Sequence, residues 1–172
     1  MKLIVLGEAR WGKDTVAEII CREYGMTFES SSAFVAEEAV RPALAAHGIV
    51  YDSYEAMYAD RVNHRPKWKA AILAYNTPDL TKLGRKLFAI HDIYCGLRER
   101  TEFVALKEAE IIDFTIWVDA SKRCPPEGEL SCTVTPDMAD YILDNNGPES
   151  GLHAEVHKAM AAAQAAMKSR AA

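Results

Sequence analysis

The apolar run Leu3-Ile4-Val5-Leu6 ends in Gly7-Glu8-Ala9-Arg10-Trp11-Gly12-Lys13, which spells G-x-x-x-x-G-K. A strand that stops in such a loop has one well-known use. The glycines let backbone N–H groups turn inward around a polyphosphate, and the lysine reaches its outer oxygens. The next residues, Thr15-Val16-Ala17-Glu18-Ile19-Ile20, open a helical pattern. A helix N-terminus there adds its partial positive charge to the same site. The loop therefore predicts binding of a nucleoside triphosphate through Gly7, Ala9, Gly12, Lys13, Asp14 and Thr15.

Asp14 stands where Ser or Thr normally holds Mg²⁺. A carboxylate also binds Mg²⁺, directly or through water, so Asp14 is the first candidate metal ligand. An acid in the first helical turn is equally favoured by the helix dipole alone.

The rest of the chain continues the alternation. Strands are expected at Lys2–Leu6, Met26–Glu29, His91–Cys95, Phe114–Val118 and Tyr141–Leu143. Helices are expected over Lys13–Tyr24, from Ser30-Ser31-Ser32 to about Ala46, from Asp52-Ser53 to about Tyr75 with a break at Pro66, from Thr77-Pro78-Asp79 onward, over Thr101–Ala109 with Thr101 as cap, and over Leu152–Ser169. Strands alternating with helices imply a three-layer α/β sandwich with a central parallel sheet of about five strands, and the G-x-x-x-x-G-K loop after the first strand makes the expectation a sandwich of the P-loop NTPase type. One domain spanning 1–172 is expected, helical over about 31–76 and with a Pro- and Gly-containing loop insertion at about 120–136. Ligands of such sheets sit at the carboxyl ends of the strands. The chemistry is then expected just after each strand, at Gly7–Thr15, Ser30–Ser32, Gly96–Arg100, Asp119–Arg123 and Asp144–Gly147.

Basic residues fall in several of these segments. Arg41 follows Ser30–Ser32; Arg61, Arg65, Lys67 and Lys69 cluster around Pro66; Arg98 and Arg100 follow Cys95; Lys122 and Arg123 follow Val118. Phosphoryl transfer is mostly positioning and charge neutralisation, and the planar fork of Arg grips phosphate bidentately. Arg98, directly after a strand and a glycine, is the preferred acceptor ligand, with Arg41, Arg65 and Ser31 beside it. Basic residues on long helices also serve as solvated faces or i,i+4 partners, the reading preferred for Lys67 and Lys69. Tyr51, Tyr54, Tyr58, Trp68 and Tyr75 crowd the same region, either to stack on a base or to pack a helical lid. Asp92 is a second candidate metal ligand, although strand parity turns residues 92 and 95 to opposite faces.

The net charge of −5 speaks against a nucleic-acid partner. No apolar run approaches the roughly 20 residues that span a bilayer, and the apolar start is too short for a secretory leader, so a cytoplasmic location is expected. The four cysteines form no C-x-x-C pair and are expected to be reduced, structural residues. His153 and His157 have helical chelate spacing, but no third ligand is evident in the sequence.

Three blocks together resemble a known family. Met1–Gly7 with Gly12-Lys13-Asp14-Thr15-Val16-Ala17 is similar to the P-loop of bacteriophage-type deoxynucleoside monophosphate kinases, in which the G-K-D-T form recurs. Ile93-Tyr94-Cys95-Gly96-Leu97-Arg98 with Glu102-Phe103 is similar to their strand and G-x-R turn. Ala139-Asp140-Tyr141-Ile142-Leu143-Asp144-Asn145-Asn146-Gly147 looks like a close shared with dephospho-coenzyme A kinases. Many relatives carry an Asp just before the middle glycine; here that residue is Cys95. The resemblance implies transfer of the γ-phosphoryl group of ATP, with Mg²⁺, to a deoxynucleoside monophosphate. It implies Lys13, Arg98 and Arg123 as catalytic residues, a helical substrate-binding region at about 31–76, a lid at about 120–136 that begins at Lys122 and Arg123, and Asn145 and Asn146 near the adenine, with Asn146 as the nucleotide contact. For a phage-encoded chain the location would be the host cytoplasm. The partners implied are small-molecule nucleotides; a homodimer is left open. The alternatives are a dephospho-coenzyme A kinase-like or other small-molecule P-loop kinase, and a P-loop module that binds nucleotide without transferring phosphate.

Overall fold

The computed structural model describes residues 1–125 and 132–171. Among these, five strands form one parallel sheet: β1 (Leu3–Leu6), β2 (Phe28–Ser30), β3 (Ile93–Cys95), β4 (Phe114–Asp119) and β5 (Tyr141–Asp144), in the order β2-β3-β1-β4-β5. Leu3 lies level with both Ile93 and Phe114, so the first residues of the three central strands share one end of the sheet. Parallel strands then bring all the post-strand loops to the opposite end.

Burial on both faces explains why the central strands are continuously apolar. Leu3 and Val5 point into a core made with Val16, Ile19 and Ile20 of α1 (Lys13–Tyr24) and with Leu152, Val156 and Met160 of the C-terminal helix (Glu149–Ala171). Ile4 and Leu6, one residue out of phase, face the other core, where Leu83, Leu87, Phe103 and Trp117 pack. Helices on each face of the sheet make three layers, as the alternating pattern predicts.

Between β2 and β3 the chain is helical. It forms α2 (Ser31–Phe34), a π-helical turn at Ala36–Val40, α3 (Arg41–Ala45), α4 (Tyr54–Ala59), a 3₁₀ turn at Asp60–Asn63, α5 (Arg65–Tyr75) and α6 (Lys82–Phe88). Ser30 and Ser53 cap helices as their positions predict, accepting from the N–H groups of Ala33 at 3.2 Å and Ala56 at 3.1 Å. Pro66 sits in the first turn of α5, where its missing N–H costs nothing.

Several expected boundaries are corrected. β2 begins at Phe28 and takes in Ser30. Thr77-Pro78-Asp79 does not start a helix: the Thr77–Pro78 peptide is cis, and α6 begins at Lys82. The buried Asn76 side-chain Oδ1 accepts from Leu83 N at 2.8 Å and so satisfies the start of α6 from the end of α5. Thr101 is not a cap, because α7 runs over Arg100–Glu108 and Arg100 N donates to Thr133 Oγ1 at 2.8 Å. The C-terminal helix, α8 in chain order, starts at Glu149 rather than Leu152. Of the expected lid at 120–136, residues 126–131 lie outside the described residues. No helix among the described residues is long and apolar enough to cross a membrane.

Candidate active site

The loop between β1 and α1 closes tightly. Gly7 has φ +140° and Gly12 φ +89°, and Arg10 adopts φ +64°. A Cβ on Gly7 would stand 2.7 Å from the Val118 carbonyl oxygen, and one on Gly12 would stand 2.5 Å from Asn145 Nδ2. Glycine is thus required at both positions by conformation and by space. Trp11 anchors the loop tip: its indole N–H donates to Cys124 O at 3.2 Å, and its ring meets Trp117 edge to face.

Lys13 is 9% exposed, and its ammonium donates to Glu8 O at 2.6 Å. Burial pushes its pKa down from the usual lysine value, and the charge of nearby Arg98 acts the same way, while Asp14 opposes them. Among the described residues the Glu8 carbonyl is its one hydrogen-bond acceptor. A buried ammonium with donors to spare is suited to an incoming anion. The glycine cradle and this lysine fit a polyphosphate.

Asp14 and Thr15 are exposed on the first turn of α1. The Cys95 thiol, fully buried at the end of β3, donates to Asp14 Oδ1 at 3.2 Å. Burial is the main reason that the thiol pKa is raised well above its ordinary value, so it is a protonated donor. The exposed carboxylate fits an oxygen-seeking cation such as Mg²⁺.

Asp92 does not join this group. It precedes β3, and its carboxylate accepts from the N–H and hydroxyl of Thr27 at 2.9 and 3.2 Å. That places it at the amino end of the sheet, about 10 Å of strand from Cys95. The expectation of Asp92 as a metal ligand is corrected: the strand separates it from the loop.

Arg98 follows Gly96, whose φ of +80° turns the chain, and is near enough to Lys13 to shift its pKa. The Arg98 backbone is strapped from outside by Thr133, whose N–H and hydroxyl donate to Arg98 O at 2.8 and 3.1 Å. The chain on the far side of 126–131 therefore returns to the site. Arg123 is exposed in the turn after β4, immediately before that segment. Asn146 knots this side together: its amide donates to Asp119 Oδ2 at 3.0 Å and Asp144 Oδ1 at 2.7 Å, and its carbonyl accepts from Lys122 N at 2.8 Å.

Across the mouth, Ser31 donates to Gly96 O at 3.4 Å, which ties the end of β2 to the end of β3. Arg41 is occupied elsewhere: it pairs with Glu37 at 2.5 Å and donates to Tyr51 O at 3.0 Å. Arg65 is exposed at the start of α5. The basic residue brought to the end of β2 is instead Arg61. Its guanidinium lies 4.3 Å from the centre of the Tyr58 ring and donates to Tyr58 OH and, at 3.3 Å, to Ser32 Oγ. Tyr58 OH also lies 3.4 Å from Ser30 Oγ, and Tyr54 stacks on Tyr58 at 5.4 Å. Sequence reasoning grouped Arg61 with its basic neighbours. The signal that separates it is the i,i+3 relation to Tyr58 on one helical face.

Comparison with known proteins agrees with this architecture. No family model and no curated protein matches the sequence. Among solved structures, shikimate kinase from Aquifex aeolicus is similar over 94% of this chain and 96% of its own, with 15% identity and a TM-score of 0.50. A gluconokinase from Sinorhizobium meliloti is similar over 97% and 94%, with 15% identity and a TM-score of 0.49. The dephospho-CoA kinase from Campylobacter jejuni is similar over 94% and 96%, with 15% identity and a TM-score of 0.42. The chain has the α/β fold of the P-loop kinases.

Proposed function

We propose that this protein is a small-molecule P-loop kinase that moves the γ-phosphoryl group of ATP to a deoxynucleoside 5′-monophosphate. The carrying observation is the buried Lys13, held in a glycine loop beside Arg98 and facing the same end of the sheet as the Arg61–Tyr58–Ser32 group. A binding-only module would need the loop; it would not need further arginines on the acceptor side. In this reading Gly7, Ala9, Gly12, Lys13 and Thr15 hold ATP, and Asn146 orders the loops on the adenine side. Asp14 would hold Mg²⁺, which would supply charge neutralisation at the phosphates. Arg98 and Arg61 hold the acceptor anion, with Ser31 between them. Tyr54 and Tyr58 offer a flat face to a base. Lys122 and Arg123 close over the reacting groups and exclude water, so that ATP is not simply hydrolysed. The three sequence blocks favour the nucleotide as acceptor, and the reading places the enzyme in the cytoplasm.

A hydroxyl acceptor is the second reading. Glu29, on β2, accepts from Ser30 N at 2.7 Å and would offer a carboxylate near the strand end to an acceptor that must lose a proton.

The deciding experiment is ADP release with ATP and Mg²⁺ against a panel of acceptors. Stimulation by one or a few deoxynucleoside monophosphates supports the first reading. Stimulation only by hydroxy acids, sugars or dephospho-coenzyme A selects the second. ATP binding with no stimulation by any acceptor overturns both.

A further inference from the structure

In P-loop NTPases generally, the metal is held between a hydroxyl on the loop, from Ser or Thr, and a carboxylate on a neighbouring strand. This chain has neither residue in its usual place. The loop position carries the carboxylate of Asp14, and the strand β3 carries the weak donor Cys95. The two meet: Cys95 Sγ donates to Asp14 Oδ1 at 3.2 Å. Both halves of the pair are present with their positions exchanged. We propose that Cys95 is a positioning residue for the metal. Its S–H fixes one oxygen of Asp14 and leaves the other to face the cation.

Several observations support the exchange. Cys95 is fully buried, while Asp14 is exposed, so the thiol is shielded from solvent and the carboxylate reaches it. The thiol lies within hydrogen-bond distance of one Asp14 oxygen only, and it can orient that carboxylate by donating to it. Asp92, which precedes β3, is turned to Thr27 at the far end of the strand. A carboxylate oriented by an outer partner holds its metal more tightly, and losing such a partner typically costs 10- to 100-fold in metal affinity.

The inference rests on the ATP–Mg²⁺ reading above, and its test separates the two. Affinity for a fluorescent ATP analogue is measured with Mg²⁺ and with EDTA, and Mn²⁺ binding is followed by electron paramagnetic resonance. The wild-type chain binds the nucleotide more tightly with Mg²⁺. In Cys95→Ala the ratio of the two affinities falls about tenfold, and Mn²⁺ binds more weakly. Cys95→Ser, which still donates, keeps most of the ratio. The exchanged variant Asp14→Ser with Cys95→Asp recovers metal dependence that Asp14→Ser alone lacks. An unchanged ratio in Cys95→Ala overturns the positioning role with ATP binding intact. Loss of the ratio in Cys95→Ser as well as in Cys95→Ala also overturns it, since the sulfur itself would then be the ligand. Failure of the wild-type chain to bind the nucleotide at all overturns the functional reading instead.

Discussion

Asn145, after the last strand, donates its side-chain N–H to the carbonyl of Trp11 at 2.8 Å, in the middle of the phosphate loop. It is 7% exposed, and its own N–H donates to Asp119 O at 2.7 Å. Residues more than 130 positions apart thus share one hydrogen bond that fixes the curve of the loop. Asn145→Ala leaves the Trp11 carbonyl without that donor. A loss of about 1–3 kcal/mol in stability is expected, together with weaker ATP binding, measured by thermal denaturation and nucleotide titration. Unaltered ATP affinity would show that the loop holds its shape without this tie.

Gly12→Ala acts on the same contact from the other side. Its φ of +89° strains any side chain by about 1–2 kcal/mol, and the new Cβ meets the Asn145 amide. The double variant with Asn145→Ala removes the collision and keeps the backbone strain. The two changes should therefore combine to less than the sum of their separate effects on the unfolding free energy. Simple additivity would mean that the collision is relieved by movement elsewhere.

Lys13→Met retains the apolar stem and removes the charge. With the ammonium buried against Glu8 O, its removal should lower turnover by roughly 100-fold or more, with circular dichroism unchanged. Turnover near the wild-type rate would remove the lysine from the catalytic account.

Arg61 and Arg41 provide a contrast. Arg61 is held by two hydroxyls and an aromatic face, whereas Arg41 is paired with Glu37. Arg61→Ala should raise the acceptor KM about tenfold or more, with a smaller effect from Arg41→Ala. Steady-state kinetics at saturating ATP measures both. The reverse order would move the acceptor site toward Arg41.

Glu102 supplies a pH test of the core. It is 5% exposed and accepts from Tyr94 OH at 2.7 Å; burial raises its pKa to about 7. The unfolded chain releases this proton near pH 4.3, whereas the folded chain retains it until about pH 7. Stability is therefore lost as pH rises through this window, by an amount on the order of 3 kcal/mol, and it levels off above. Glu102→Gln, which can still accept from Tyr94, should flatten that slope in urea denaturation at pH 5 and pH 8. Equal slopes in both proteins would mean that the carboxyl is not the group responsible.

The strand–loop–helix start and the parallel α/β layering are legible along the chain. Both depend on local signals: glycine at positive φ, apolar runs, and capping serines at the helix starts. Lys13, Asp14 and Arg98 stand out as candidates in the sequence because each lies within a few residues of a strand end, and in a parallel sheet all the strand ends meet. The boundary errors arose where a distant residue satisfies a helix terminus, as Asn76 does for α6 and Thr133 for Arg100. Which side chains meet is set by packing between elements. Strand level moved Asp92 to the far end of β3, helical phase brought Arg61 to the site, and the packing of α1 on β3 joined Asp14 to Cys95. Each of these pairings crosses between elements, and no spacing along the chain records the distance between two elements that only the folded core brings together.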